Sequence, residues 1–245
     1  MMKMFVFAQR CAKEILRDPL NLFFGLGFPV VLLLLLTAIQ ANIPVSLFEL
    51  PSLTPGITVF GLSFLSLFSA TLIARDRESA FLQRLYTTPL RSSDFILGYM
   101  LPIVPIAIAQ CAVCYGVAIL LGLPVTVRIL PAIVAIVPMA VFHISLGLLC
   151  GSILSVKQAG GICGAMLTNL SAWLSGVWFD LELVGGVFQK AARCLPFFHA
   201  VKLEQAVFSG NTENALPHLP VVLGYAALTS AGAVFLFLRQ MKSRP

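Results

Sequence analysis

The sequence predicts an all-α integral membrane protein with six transmembrane helices, forming one domain over residues 1–245. Of its residues, 59% are apolar and 11% are charged, whereas soluble domains are about half apolar and about a quarter charged. About 20 apolar residues cross a bilayer. The alternating pattern of a membrane barrel is absent, so each apolar run is expected to be a helix. The predicted spans are residues 20–41, 57–74, 95–121, 129–156, 161–179 and 219–238.

The distribution of charge predicts how these spans are oriented. The formal net charge is +6 and the chain has 16 Lys and Arg residues. Assigned to the two sides by alternation of the spans, twelve of them fall on the side of both termini and four on the other. Cytoplasmic loops carry the excess of Lys and Arg. Both termini are therefore expected in the cytoplasm, and no nucleic-acid partner is predicted.

The composition leaves little chain for a soluble domain. Neither a G-x-x-x-x-G-K-[ST] loop nor a G-x-G-x-x-G turn occurs in the sequence, and these are the motifs that bind nucleotide phosphates. Any ATP chemistry is expected on another chain. This chain is predicted to be no enzyme and to hold no metal or cofactor of its own.

Residues 1–18 are predicted to form an interfacial helix. At 100° per residue its apolar side chains occupy one arc and its charged side chains the other, with Val6 as the exception. Asp18-Pro19 separates this helix from the first span, because proline disfavours helix at the residue before it and suits the first turn of a new helix. The charged residues of this helix are Arg10, Lys13, Glu14 and Arg17, together with Lys3.

The segment from Arg75 to Asp94 carries an amphipathic pattern on the cytoplasmic side. Asp76, Glu78 and Ser79 are expected to start a short helix, which ends at Thr87-Thr88-Pro89. One face of this helix presents Phe81, Leu82, Leu85 and Tyr86. An exposed apolar face favours a partner surface, although a solvated loop and a helix lying on the lipid headgroups remain alternatives.

Two segments are predicted on the external side. Asn42 to Gly56 contains three prolines and is expected to be a rigid connection. Asp180 to Pro217 is too polar to span a membrane but contains two apolar clusters. It is expected to form two short helices broken at Leu195-Pro196, either re-entering the outer leaflet or packing over the bundle.

The predicted spans contain no Asp, Glu, Lys or Arg away from their edges. His143 is the ionisable residue within these spans, and it is either a functional group or a hydrogen-bonding group between helices. Cys111 and Cys114 have redox spacing, yet they sit in an apolar span and are expected to be free thiols. Two alternatives to an ATP-driven transporter stay open. One is an ion-coupled carrier or channel, and the other is an intramembrane enzyme or redox protein that uses these residues.

Several short motifs resemble those of a known family. They are Ile15-Leu16-Arg17-Asp18-Pro19, Pro55-Gly56-Ile57, Arg75-Asp76-Arg77-Glu78, Arg84-Leu85, Thr88-Pro89-Leu90, and Leu195-Pro196 with Ala200. In this order and at these distances, over nearly the whole chain, the sequence resembles the membrane permease subunit of type-2 ATP-binding-cassette (ABC) exporters.

The resemblance implies a coupling helix that rests in a groove of a partner ATPase. The residues that it assigns to this contact are Arg77, Glu78, Phe81, Leu82, Arg84, Leu85, Tyr86, Thr88, Pro89 and Leu90. Many relatives have a glycine after the acidic residue, where this chain has Ser79-Ala80. The implied assembly has two permease copies, identical or different, and two ABC ATPase subunits that bind ATP and Mg. It would export an amphipathic substrate across the bacterial cell membrane, in contact with membrane lipid.

Overall fold

Every regular element in the described part of the chain is a helix. The computed structural model describes residues 2–43, 48–79, 81 and 92–242. The helices are α1 (Met2–Leu16), α2 (Pro19–Leu22), α3 (Phe28–Gln40), α4 (Leu50–Glu78), α5 (Ser92–Met100), α6 (Val104–Leu120), α7 (Ile129–Ile153), α8 (Val156–Gly161), α9 (Thr168–Ser175), α10 (Leu181–Val184), α11 (Gly186–Cys194), α12 (Pro196–Ser209), α13 (Thr212–Ala215) and α14 (Leu219–Lys242). Single π-helical stretches, Phe23–Gly27 and Ile162–Leu167, connect α2 to α3 and α8 to α9.

Six helical runs follow one another over the described residues, and they are called passes here. The passes are α2 with α3, α4, α5 with α6, α7, α8 with α9, and α14. The end where α1 and the C-termini of α4 and α7 meet is called the basic end here. At the opposite end, Gln205 of α12 donates to the carbonyl of Ser52 in α4, and Arg128 donates to the carbonyl of Ser209 at 2.5 Å.

Five of the helical segments are long and apolar enough to cross a membrane, judged by length and composition over the described residues. They are Pro19–Gln40, Leu50–Glu78, Asp94–Leu120, Ile129–Ile153 and Thr212–Arg239. The predicted fifth span, residues 161–179, corresponds to the run of α8 and α9, which is not among the five. Lys157, Gln158 and Asn169 make this pass more polar than the others.

The helix α4 is the centre of the bundle. In its most apolar stretch 89% of the residues are buried, against 22% for the pass that starts at Pro19. Ser66 of α4 donates to the carbonyl of His143 in α7 at 2.7 Å, and Ser69 donates to the carbonyl of Ile144 at 3.0 Å. A Cβ added at Gly147 would lie 2.2 Å from the carbonyl oxygen of Ser66. The small residues of α7 therefore allow its backbone to touch α4.

The expected rigid connection from Asn42 to Gly56 is wrong in its second half, because α4 already begins at Leu50. Pro51 lies in the first turn, where a missing N–H has no intrahelical partner to lose. Pro55 lies inside the helix, and the Thr58 hydroxyl donates to its carbonyl at 2.7 Å. Prolines that suggested a loop thus belong to a helix, which is exposed at Pro51 and Ser52 and buried from Leu53 onward.

The third and last passes follow the sequence with small differences. The pass predicted for 95–121 is interrupted at residues 101–103, next to Pro102, and resumes as α6, which fits the kink that proline produces. The last pass, predicted for 219–238, is α14. In the external segment the helix boundary falls at Leu195, with Pro196 in the first turn of α12. The chain breaks where the proline predicts, although the segment contains four short helices and not two.

Candidate functional site

Asp76, in the last turn of α4, joins three helices at the basic end. It is 2% exposed, and its two carboxylate oxygens accept from Arg10 of α1, at 2.5 Å from Nη1 and 2.7 Å from Nη2. The hydroxyl of Tyr99 on α5 donates to the same carboxylate at 2.7 Å. A two-pronged Arg–carboxylate pair fixes geometry and is stronger than neutral hydrogen bonds. Asp76 therefore holds α1 and α5 against the end of α4.

Arg10 links this carboxylate to the chain that follows α4. Its guanidinium lies 2.8 Å from Glu14 and 4.1 Å from the centre of the Phe81 ring. Burial lowers the pKa of Arg10, but the hydrogen bond and charge of Asp76 raise it by more. The guanidinium therefore stays charged and is attracted by the face of the aromatic ring.

The next two residues of α4 bind the turn between α7 and α8. Arg77 donates to the carbonyls of Ser152, at 2.5 Å, and Leu154. The carboxylate of Glu78 accepts from the backbone N–H of Val156 at 2.8 Å. Carbonyls at a helix C-terminus carry partial negative charge and N–H groups at an N-terminus partial positive charge. Arg77 therefore binds carbonyls on the α7 side of the turn, and Glu78 binds an N–H group on the α8 side. Each side chain meets a partial charge opposite to its own.

The turn itself is rigidly capped. Ser155 is the N-cap of α8 and accepts from the N–H of Gln158, while the Gln158 side chain accepts from the N–H of Ser155 at 3.0 Å. A reciprocal capping box of this kind satisfies two orphan donors at once. The end of α4 is thus bonded to α1 and α5 on one side and to the α7–α8 turn on the other. A displacement of the chain just after α4 would reach all of these elements.

The expectation that Asp76 and Glu78 start a short helix is wrong, and the predicted helix itself, apart from Phe81, lies outside the described residues. Asp76 and Glu78 belong to the final turn of α4, which ends at Glu78, and Ser79 is its extended C-cap. Acidic residues are unfavourable at a helix C-terminus. Here Arg10, Tyr99 and the N–H of Val156 compensate, and these tertiary partners are invisible in the local sequence.

Three of the residues that the resemblance assigned to the ATPase contact are described. Arg77 and Glu78 use their side chains inside the chain, and Phe81 packs on Arg10 and against the core. The others lie outside the described residues, namely Leu82, Arg84, Leu85, Tyr86, Thr88, Pro89 and Leu90. Their role in an ATPase contact stays a prediction.

The N-terminal helix is amphipathic, but its faces divide differently from the prediction. Phe7, Cys11 and Ile15 are buried, and the Phe7 ring packs edge-on against Tyr99, with centroids 4.9 Å apart. Of the predicted polar face, Lys13 and Arg17 are exposed, whereas Arg10 and Glu14 are half-buried in the contact with α4. The burial of each side chain of α1 therefore depends on packing against α5 and on the ion pair with Asp76, and not only on a division into a lipid-facing and a water-facing side.

The surroundings of His143 and of the pair Cys111 and Cys114 agree with structural roles for these residues. His143 is buried, with Nδ1 3.4 Å from the hydroxyl of Ser66, which agrees with a polar contact between α4 and α7. Cys111 and Cys114 are buried free thiols, and Gln110 lies 3.9 Å from the sulfur of Cys114. Nothing around the pair supplies the exposed, electropositive setting that a reactive thiolate needs.

Glu204 of α12 is a buried acid that the sequence reasoning missed. It is fully buried, and the hydroxyl of Tyr115 on α6 donates to its Oε1 at 3.2 Å. Its Oε2 has no hydrogen-bond partner among the described residues, and burial raises the pKa of the carboxyl to about 8. The available signal was spacing, because Glu204 lies three residues after Val201 and four before Phe208, on the apolar face of the helix.

The described residues contain no group of three or more His, Cys, Asp or Glu that could hold a metal ion. In comparisons with known proteins, the sequence model of the family described as ABC-2 type transporter matches residues 2–208. This match covers α1 through nearly all of α12. No curated protein matches the chain.

Proposed function

The chain belongs to the ABC-2 type transporter family, and from this premise we propose that it is the permease subunit of an ATP-driven exporter. Its apolar helices and its family make it a multi-pass membrane protein of the permease class. In the proposal it moves an amphipathic, drug-like or lipid-like substrate out of the cytoplasm. A separate ABC ATPase subunit binds ATP and Mg²⁺, and a second permease copy, identical or related, completes the assembly.

The observation that carries this proposal is the bonding at the end of α4. Asp76, Arg77 and Glu78 connect α4 to α1, to α5 and to the α7–α8 turn. The segment predicted to touch the ATPase begins with Arg77 and Glu78 and continues beyond the end of α4. A force applied there by closing ATPase subunits would move several helices together, since packed and ion-paired elements shift between discrete arrangements.

The orientation is part of the proposal. Six passes with both termini in the cytoplasm of a bacterial cell place the basic end on the cytoplasmic side, in accord with the excess of Lys and Arg there. The run of α8 and α9 would then cross the membrane inside the assembly. Its polar residues are tolerated where they face protein, because lipid is the environment that penalises them.

The substrate class is proposed from the character of the passes. Apart from residues near their ends, the passes carry no Asp, Glu, Lys or Arg. Such a pathway offers little to a small ion, which needs ligands that replace its hydration shell. A partly apolar molecule requires no such ligands.

Leu85→Asp tests the coupling role, and Gln83→Asp is the matched control. On the sequence pattern Leu85 lies on the apolar face of the coupling segment and Gln83 off it. An unpaired charge in a desolvated contact costs several kcal/mol, so Leu85→Asp should abolish copurification of the ATPase or its substrate-stimulated hydrolysis. Gln83→Asp, at equal membrane expression, should leave both nearly unchanged.

Two outcomes would contradict the proposal. Normal coupling in Leu85→Asp would show that this segment does not transmit the stroke. Transport by the purified chain without any ATPase, abolished by an ionophore, would instead favour an ion-coupled carrier.

A cysteine pair tests the orientation. In a variant series with Asn211→Cys and Ser243→Cys, a membrane-impermeant thiol reagent should label position 211 in intact cells and position 243 only after lysis. The reverse pattern would overturn the proposed topology.

A further inference from the structure

We propose that the cleft between α1 and the start of the first pass binds the phosphate headgroup of an anionic phospholipid. The cleft has a volume of about 720 Å³ and is lined by four bases and two acids. This inference goes beyond the transport function and requires no ATPase.

The ion pairs around the cleft leave two cations without a partner. Glu14 pairs with Arg10 at 2.8 Å, and Asp18 accepts from Arg75 at 3.4 Å. Arg10 is further held by Asp76, as described above. Lys13 and Arg17 are both exposed and form no ion pair with any described residue. The cleft therefore presents two unpaired cations to an incoming anion, and its four bases exceed Glu14, Asp18 and the buried Asp76 by one positive charge.

Those two cations are placed together. Both line the cleft, Lys13 from the last turn of α1 and Arg17 from the residue that follows α1. An arginine fork and a lysine ammonium are the side chains that bind phosphate oxygens with charge-assisted hydrogen bonds. A zwitterionic headgroup brings its own cation into the cleft, so a headgroup with net negative charge is the better match.

The surroundings of the cleft indicate a lipid and not a soluble anion. The cleft is walled on one side by Pro19, the first residue of an apolar segment long enough to cross a membrane. Val6, which breaks the amphipathic pattern of α1, also lines it and is 64% exposed. Leu16, Leu20 and Phe23 are exposed on the same stretch of chain. Basic side chains at the end of a span, beside exposed apolar groups, are where a headgroup and its acyl chains lie.

The test compares lipid retention by the purified full chain in detergent. The probes are phosphatidylglycerol, phosphatidylcholine and inorganic phosphate, and native mass spectrometry measures bound lipid. Lys13→Gln with Arg17→Gln is the cleft variant, and Lys157→Gln with Lys190→Gln removes the same charge elsewhere on the surface. Circular dichroism checks that both variants are folded.

The wild type and the control should retain phosphatidylglycerol at least fivefold better than phosphatidylcholine, and the cleft variant should lose this preference. Inorganic phosphate at millimolar concentration should not displace the lipid. Equal lipid retention by both variants would overturn the proposal. So would displacement by inorganic phosphate, which would indicate a site for a free anion. Unchanged lipid retention with loss of an ATPase subunit from the cleft variant would assign this surface to a protein contact and would equally overturn it.

Discussion

Replacing Asp76 with Asn should loosen the N-terminal helix from the bundle. The carboxylate accepts two hydrogen bonds from Arg10 and one from Tyr99. The Asn amide keeps one oxygen as an acceptor, but an NH₂ group replaces the other oxygen. This NH₂ group is a donor and faces a donor group that the carboxylate had accepted from. Tyr99 can rotate its hydroxyl to accept from the new NH₂ group, but Arg10 loses both its charge partner and one of its bonds.

The size of the expected loss of stability depends on how far water can reach this network of hydrogen bonds. Removing one member of a fully buried ion pair costs about 3–5 kcal/mol, and a hydrogen bond to a charged group contributes about 1.5–3 kcal/mol. The side chain of Asp76 is 2% exposed and that of Arg10 is 36% exposed, so Arg10 can rehydrate and keeps Glu14. The expected loss is therefore at the lower end, about 2 kcal/mol, which corresponds to about a 30-fold change in an opening equilibrium.

Hydrogen exchange measures this directly. Amides of α1 that exchange by local opening should exchange about 30-fold faster in Asp76→Asn, because the lost bonds hold α1 rather than the whole bundle. Glu182→Gln is the control. It breaks another Arg–carboxylate pair, with Arg193 at 3.2 Å, but the two side chains are 53% and 70% exposed, and exposed pairs contribute about 0–1 kcal/mol.

The reasoning fails if α1 exchanges at the wild-type rate in Asp76→Asn, or if Glu182→Gln destabilises the protein as much. Combining Asp76→Asn with Arg10→Gln completes a double-mutant cycle. The two changes should be far from additive, since the residues contact each other.

Two further predictions concern packing and pH. Gly147→Ala should destabilise the bundle by about 1–3 kcal/mol, because its Cβ would lie 2.2 Å from the carbonyl oxygen of Ser66. Gly160→Ala has open space around its Cβ and should stabilise its helix by up to about 1 kcal/mol. Thermal unfolding in detergent compares the two variants, and equal effects would contradict the close contact between α4 and α7. Burial raises the pKa of Glu204 in the folded chain to about 8, above the ordinary 4.5. Between these two pH values the folded chain binds more protons than the unfolded chain. The stability of the wild type should therefore fall as pH rises through this range. Glu204→Gln, which keeps an acceptor for Tyr115, should be less sensitive to pH in unfolding measurements at pH 5.5 and 8.5, and an unchanged pH dependence would refute a titrating Glu204.

Much of the fold follows from the sequence because membrane helices are constrained locally. A run of apolar residues must satisfy its own backbone hydrogen bonds, and only a helix does so within one segment. The helix boundary at Leu195 follows equally from the geometry of proline. The weaker predictions were those that depend on context. Pro51 and Pro55 are typical of a loop, yet both belong to α4, where Pro51 is exposed in the first turn and Pro55 is buried.

The sequence does not encode which groups the residues at the end of α4 bind. The motif from Arg75 to Glu78 predicts a short helix that starts at its acidic residues, whereas these residues end α4. Asp76 binds Arg10, 66 residues away, and Tyr99, 23 residues away, and Glu78 binds Val156, 78 residues away. Glu204 was missed for the same reason, since its burial depends on Tyr115 of another helix.

The sequence by itself determined that this chain is helical, apolar, arranged in successive passes and asymmetric in its basic charge, because backbone hydrogen bonding and transfer from water to lipid act on each segment separately. Only the tertiary structure decided that α4 lies at the centre and that Asp76, Arg77 and Glu78 bind three different neighbours. It also decided that Lys13 and Arg17 line a cleft and form no ion pair within the described part of the chain. Whether two charged groups pair depends on their distance in the folded structure. Apolar helices of similar composition do not show in their own sequences which of them will lie at the centre of the bundle.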